Sequence, residues 1–193
     1  MGKIISNVLM AFYQPFLFVV AFSVLFMIVF PFAEKSGWKN LFKETFERFK
    51  SDVKFRRYFY FVFFTTMILF KTLFYRSLWL NPLSDVIGVW GLYNKEGNLT
   101  TQVIENVIMF VPFTVLFFWA AKDKLLKKDK FAYLIWQSVK VSFIFSLSIE
   151  LSQLIFRLGT FQLSDLFYNT LGGVLGGIIY YILDRIITHK NNK

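Results

Sequence analysis

The chain has 193 residues, 56% of them hydrophobic and 27 of them Phe, yet it carries a formal net charge of +10. A soluble domain of this size has too little interior to hide so much apolar surface, whereas a helical membrane protein displays it to lipid. With no Cys and a single His, at position 189, disulfide frameworks, thiolate chemistry, His-based zinc sites and catalytic triads are excluded or disfavoured.

The first apolar run extends from about Ile4 to Phe32. It is too long for a signal-peptide core, and no small-x-small cleavage site follows it near Phe32, so it reads as an uncleaved transmembrane helix. From Lys35 to Arg57 the composition changes, with eight Lys or Arg residues. Trp38, Phe42, Phe46, Phe49 and Val53 recur there at helical spacing, which predicts an amphipathic helix lying in the membrane interface. The second span covers about Tyr58 to Leu78, with Lys71 inside it and Arg76 near its far end. A loop follows, Asn81 to Gln102, rich in turn residues and poor in Lys and Arg. The third span, Val103 to Ala121, opens with Glu105 and Asn106 and carries Pro112, which removes one backbone donor and loosens the helix near Ile108. A basic connector with five lysines, Lys122 to Lys130, leads to the fourth span, Phe131 to Phe156, and the fifth, Leu166 to Ile187.

This pattern predicts an all-α, polytopic helical membrane protein with about five transmembrane helices. It divides into an N-terminal helix plus basic segment over residues 1–57 and a four-helix membrane domain over 58–193. The basic residues sit in blocks between apolar runs, which is how topology signals are distributed, so no nucleic-acid partner is expected. The loops after spans one and three are the basic ones. By the positive-inside rule they lie in the cytoplasm with the C-terminus, and the N-terminus lies outside.

That orientation brings the polar residues to one leaflet. Span four exits outward, so Glu150, six residues before Phe156, lies roughly 9 Å below its outer end. Spans three and five start at the outer side, which places Glu105, Asn106, Asp165 and Asn169 in their first turns, and Lys71 falls in the outer half of span two. Along span four, Ser142, Ser146, Glu150, Gln153 and Arg157 share one helical face. Ionisable groups at membrane depth cost roughly 2.5–3.5 kcal/mol each on the insertion scale, so they have partners or a purpose. One reading is an outward-facing polar site. The plainer one is interhelical hydrogen bonding, with Lys71 or Arg157 neutralising Glu150 and Ser164-Asp165 serving as an N-cap. In span five, Gly172 with Gly176 and Gly173 with Gly177 make overlapping GxxxG pairs, a packing face within the chain or between copies in a homo-oligomer.

At these residues the chain shows a family pattern. The runs Asn106 to Phe113 (NVIMFVPF), Ser148 to Gln153 (SIELSQ), Gly159, and Asp165 to Gly173 (DLFYNTLGG) with Gly176, in this order and spacing, resemble the VanZ-like family of bacterial membrane proteins. The resemblance covers about residues 72 to 187, including Asn81-Pro82. It implies a small helical membrane fold in the bacterial plasma membrane and a link to teicoplanin resistance without destruction of the drug or remodelling of its cell-wall target. Thr160, Gln162 and Ser164 stand where family members commonly carry Arg and further acids, which puts an acidic or Arg-dependent role of that segment in doubt. Glu150, Gln153, Asp165, Asn169 and Asn106 match position by position.

The expected function is therefore that of a non-catalytic envelope protein whose polar cavity binds a lipoglycopeptide or a lipid-linked cell-wall precursor among membrane lipids. No nucleophile motif, metal-ligand spacing or phosphate loop is present, so no catalytic residue, metal or cofactor is expected. Two alternatives stay open. One is a membrane-embedded enzyme acting on a lipid or polyprenyl-linked head group, with Glu150 as base and Asp165 as acid or metal ligand; the other is a scaffold or accessory subunit.

Overall fold

A computed structural model of the protein describes residues 38–74, 76, 78–94, 96–125 and 131–191, together with 5, 6, 9, 16, 19, 20, 22 and 23. Most of the expected first span and residues 126–130 of the basic connector lie outside the described residues. Those that are described between 5 and 23 are helical, and the Phe16 ring meets Phe63 edge-on at 6.0 Å. Among the described residues the architecture is all-helical: α1 (Trp38–Ser51), α2 (Val53–Leu69) running into a π-helical turn (Phe70–Phe74), α3 (Gln102–Leu125), α4 (Phe131–Phe156) and α5 (Leu163–Asn191). Four of these are long and apolar enough to cross a membrane: α2 with its π turn, α3, α4 and α5. The first of them has 22 residues, about 33 Å at helical rise, which matches a hydrocarbon core of about 30 Å.

The amphipathic helix is shorter than its apolar spacing predicts. Asp52 breaks it from α2 by adopting an extended conformation and accepting a hydrogen bond from the Lys54 N–H at 2.7 Å, an N-cap. Val53 therefore belongs to α2 and not to the stripe on α1. Arg56 reaches back to donate to the carbonyls of Phe49 (3.1 Å) and Lys50 (2.6 Å), satisfying orphan acceptors at the end of α1 with a cation at its negative pole. Phe49 packs edge-on against Phe59 of α2.

The four long helices alternate in direction. The carbonyl of Arg157, at the end of α4, accepts from Trp79 N–H at 2.8 Å, Pro82 accepts from Phe161, and Val86 from Leu163. Consequently the loop after the π turn and the loop before α5 lie against each other at one end of the bundle, the loop end. At the opposite end, the basic end, Lys122 of α3 pairs with Asp184 of α5 at 2.5 Å, and Arg57 of α2 lies over the Trp119 ring of α3.

Glycine makes the close packing of α5 possible. A Cβ on Gly172 would lie 2.4 Å from the Val107 carbonyl oxygen and one on Gly176 2.3 Å from that of Val111, so this row presses backbone to backbone on α3. The other row faces α4: a Cβ on Gly173 would lie 1.8 Å from Ser142 Oγ and one on Gly177 2.0 Å from Ser138 Oγ. Both rows are thus covered within one chain. Pro112 lies inside α3, whose helix continues through it. Elsewhere the core is aromatic, with Ile68, Met109, Phe110, Phe113 and Ile149 in one cluster and Phe113 stacked on Phe145 at 4.5 Å.

Candidate functional site

The polar stripe of α4 is buried from Ser138 to Gln153, and from Ser142 onward each member finds its partner on a different neighbour. Ser138 donates to its own helix at the Leu134 carbonyl (2.8 Å), Ser142 bonds Thr114 of α3 (3.0 Å), and Ser146 accepts from Asn169 of α5 (2.9 Å). One turn further, Glu150 accepts from the backbone N–H of Gln162 at 2.8 Å. Gln153 donates to the Thr72 carbonyl in the π turn, also at 2.8 Å. The widened π turn offers that carbonyl to a side chain, a role in which such turns recur near functional sites. Glu150 and Gln153 are each only 1% exposed.

The loop end closes over this pair. After Phe156 the chain turns sharply at Arg157, whose φ of 56° is left-handed. Leu158 N–H then bonds back to the Gln153 carbonyl at 2.8 Å, a Schellman-type helix end built on a residue other than glycine. Gly159, at φ 99°, carries no side chain where Arg76 approaches: a Cβ there would lie 3.1 Å from its guanidinium. Gly88, at φ 72°, lets the preceding loop press on Ser164, since a Cβ would fall 2.0 Å from the serine Oγ. The segment from Gly159 to Leu163 is thus held between loop and bundle, and its Gln162 N–H is what Glu150 receives.

Asp165 sits in the first turn of α5, because that helix begins at Leu163. It is therefore not the N-cap that Ser164-Asp165 suggests. Its carboxylate instead accepts from the Gln102 side chain at 2.8 Å, while the same amide donates to Gln162 Oε1 at 2.6 Å. Asn106 lies beside Asp165, and the Arg76 guanidinium is within electrostatic reach of both Asp165 and Glu150. Lys71 does not neutralise Glu150. It pairs with Glu105 at 2.5 Å, and Glu105 also accepts from Thr101 Oγ1 at 2.6 Å.

The structure thus brings Glu150, Gln153, Asp165, Asn169 and Asn106 to one end of the bundle, with the Lys71–Glu105 pair on neighbouring helices. Arg157 shares the α4 face by spacing, but the helix ends before it and its side chain is exposed. Three participants are not among the expected residues: Arg76, Gln102 and Gln162. Their signal in the sequence is only position, since each stands at an end of a span where the loops fold back. Three buried polar atoms in this region, Asn106 Nδ2, Gln153 Oε1 and Ser164 Oγ, have no hydrogen-bond partner. An unpartnered buried amide oxygen costs about 1–3 kcal/mol, so the region is not saturated in itself. Chemically it offers two carboxylates, spare amide and hydroxyl groups and one exposed guanidinium, a set suited to a ligand rich in hydrogen-bonding groups.

Four membrane-length helices closing on a buried carboxylate–amide cluster beneath a folded loop define a polytopic helical membrane protein with a polar centre near one end. The chain belongs to the VanZ/LLP1 family, whose model matches residues 16–184, so the likeness begins well before residue 72 and takes in the N-terminal segment. The chain is similar to Protein VanZ of Enterococcus faecium, with 29% identity over 117 residues, 56% of this chain and 65% of that protein. The chain therefore spans slightly less than two thirds of that relative. No solved structure matches it.

Proposed function

We propose that this protein lowers the susceptibility of a bacterial cell to lipoglycopeptides such as teicoplanin by engaging the drug, or a lipid-linked wall precursor, at the outer face of the plasma membrane, without chemically changing the drug. The reading rests on membership of the VanZ/LLP1 family, with Protein VanZ as a relative. The observation that carries its location is the unsaturated polar cluster around Glu150 and Gln153 at the loop end. The basic residues concentrate at the other end, which by the positive-inside rule supports a cytoplasmic position for that end and an outward one for the loop end.

The loop end also has the surface such a ligand needs. Leu80 is 94% exposed, and Leu78, Trp79, Leu83, Ile87 and Trp90 are exposed around it. An apolar and aromatic rim of this kind sits at the headgroup level, where an acyl-anchored amphiphile resides. The ligand's polar part would meet Arg76 first and then, as the Gly159–Leu163 segment shifts, Glu150 and Gln153. Teicoplanin carries an acyl tail and vancomycin does not, so the effect is expected on the former. Cells expressing the chain and cells with empty vector are compared for the inhibitory concentrations of both drugs. A selective rise for teicoplanin is expected; equal values for both strains and both drugs would overturn the proposal.

A second reading has one observation behind it: Glu150 and Asp165 are near enough for the charge of one to act on the other. Two carboxylates with an adjacent guanidinium form a minimal set for acid–base work on a lipid-linked head group. Conversion of such a lipid by purified protein in vesicles would favour it.

A further inference from the structure

We propose that the basic end of the bundle holds one anionic phospholipid, seated in the groove between α2, α3 and α5. The groove has a volume of about 400 Å³ and lies at the opposite end from Glu150. Its rim carries Arg57, Lys122 and Asp184, and its wall includes Leu116, Trp119 and Leu183. Lys122 and Asp184 form an ion pair at 2.5 Å, so these two cations and one carboxylate leave a net charge of one positive, on Arg57.

Arg57 is the group that points to a ligand. Its Nε is buried and has no hydrogen-bond partner, and its guanidinium rests over the Trp119 ring with 5.7 Å to the centroid. Stacking holds the fork in place while leaving its buried Nε–H in need of an acceptor, and phosphate oxygens match that fork best. The wall decides between a free anion and a lipid. Leu116 lies six residues deeper along α3 than Lys122, roughly 9 Å, and Leu183 is exposed at the open side of the groove. A charged mouth above an apolar, side-open wall fits a head group and the upper part of an acyl chain, and basic sites between helices on the cytoplasmic side bind acidic head groups. Inorganic phosphate would leave the wall empty.

The test is native mass spectrometry of the full-length chain in neutral detergent, supplied with equal amounts of phosphatidylglycerol and phosphatidylcholine. The wild type is expected to retain the anionic lipid preferentially. Arg57→Gln is expected to lower that preference roughly fivefold, while Lys140→Gln, on an exposed face of α4, leaves it unchanged. Should Arg57→Gln fail to fold, Leu183→Trp, which fills the wall and keeps Arg57, is expected to lose the lipid as well. Equal retention of both lipids by the wild type overturns the proposal. So does unchanged preference in both variants, or thermal stabilisation by inorganic phosphate as large as that by phosphatidylglycerol.

Discussion

Replacing Glu150 in two ways separates what its carboxylate does for folding from what it does for function. Glu150 Oε2 accepts from the Gln162 backbone N–H at 2.8 Å in a fully buried setting. Glu150→Gln keeps an sp² oxygen in place, so that bond survives and stability is expected to change by less than about 1 kcal/mol. Glu150→Leu removes the acceptor and leaves the Gln162 N–H buried and unpaired, at a cost of about 1–3 kcal/mol. For a chain of this size that is a fall in melting temperature of roughly 2–12 °C. Thermal unfolding of purified variants in detergent measures it, and amide hydrogen exchange at Gln162 reports the bond itself. Faster exchange at Gln162 in the Leu variant, with protection kept in the Gln variant, is expected. A Leu variant as stable and as protected as wild type would refute the view that Glu150 holds the Gly159–Leu163 segment.

The two glycine rows predict different rescues. Gly176→Ala drives a Cβ into the Val111 carbonyl and is expected to cost about 1–3 kcal/mol by thermal unfolding, with no side-chain change able to restore it. Gly177→Ala meets the Ser138 hydroxyl first, with the Ser138 Cβ next at 2.9 Å, so adding Ser138→Ala should recover part of the loss; a double variant no more stable than Gly177→Ala alone would contradict the helix register. Because the chain has no Cys, single cysteines at Leu80 and Arg185 read the orientation directly. A membrane-impermeant maleimide is expected to label Leu80→Cys in intact cells and Arg185→Cys only after permeabilisation, and the reverse would place the polar cluster on the cytoplasmic side.

Much of the bundle was legible because membrane helices declare themselves by length and apolarity. The fourth span needed no adjustment, and the buried stripe from Ser142 to Gln153 followed from helical periodicity alone, since a polar face on an apolar helix must turn inward. Periodicity failed where a helix ended. Arg157 continues the stripe in projection, yet the chain leaves the helix there in a left-handed turn, and its side chain goes to the surface. The dipeptide Ser164-Asp165 suggests a cap, but α5 begins earlier, at Leu163, whose N–H donates to the Val86 carbonyl, and Asp165 meets Gln102 instead. Pairings between distant segments were the least legible. Nothing local distinguishes Glu105 from Glu150 as the partner of Lys71; helix packing decides it. Arg76, Gln102 and Gln162 enter the cluster only because two loops fold against each other, a contact that depends on bare backbone at Gly88 and Gly159.

The most direct measurement for the proposed role uses the conservative variant. The inhibitory concentrations of teicoplanin and vancomycin are compared for cells expressing wild type, Glu150→Gln or empty vector, with membrane levels matched by immunoblot. Wild type is expected to raise the teicoplanin value selectively, and Glu150→Gln, folded and present at the same level, is expected to lose that rise. A Glu150→Gln variant that protects as well as wild type would contradict a functional polar cluster and leave these residues as the glue between helices.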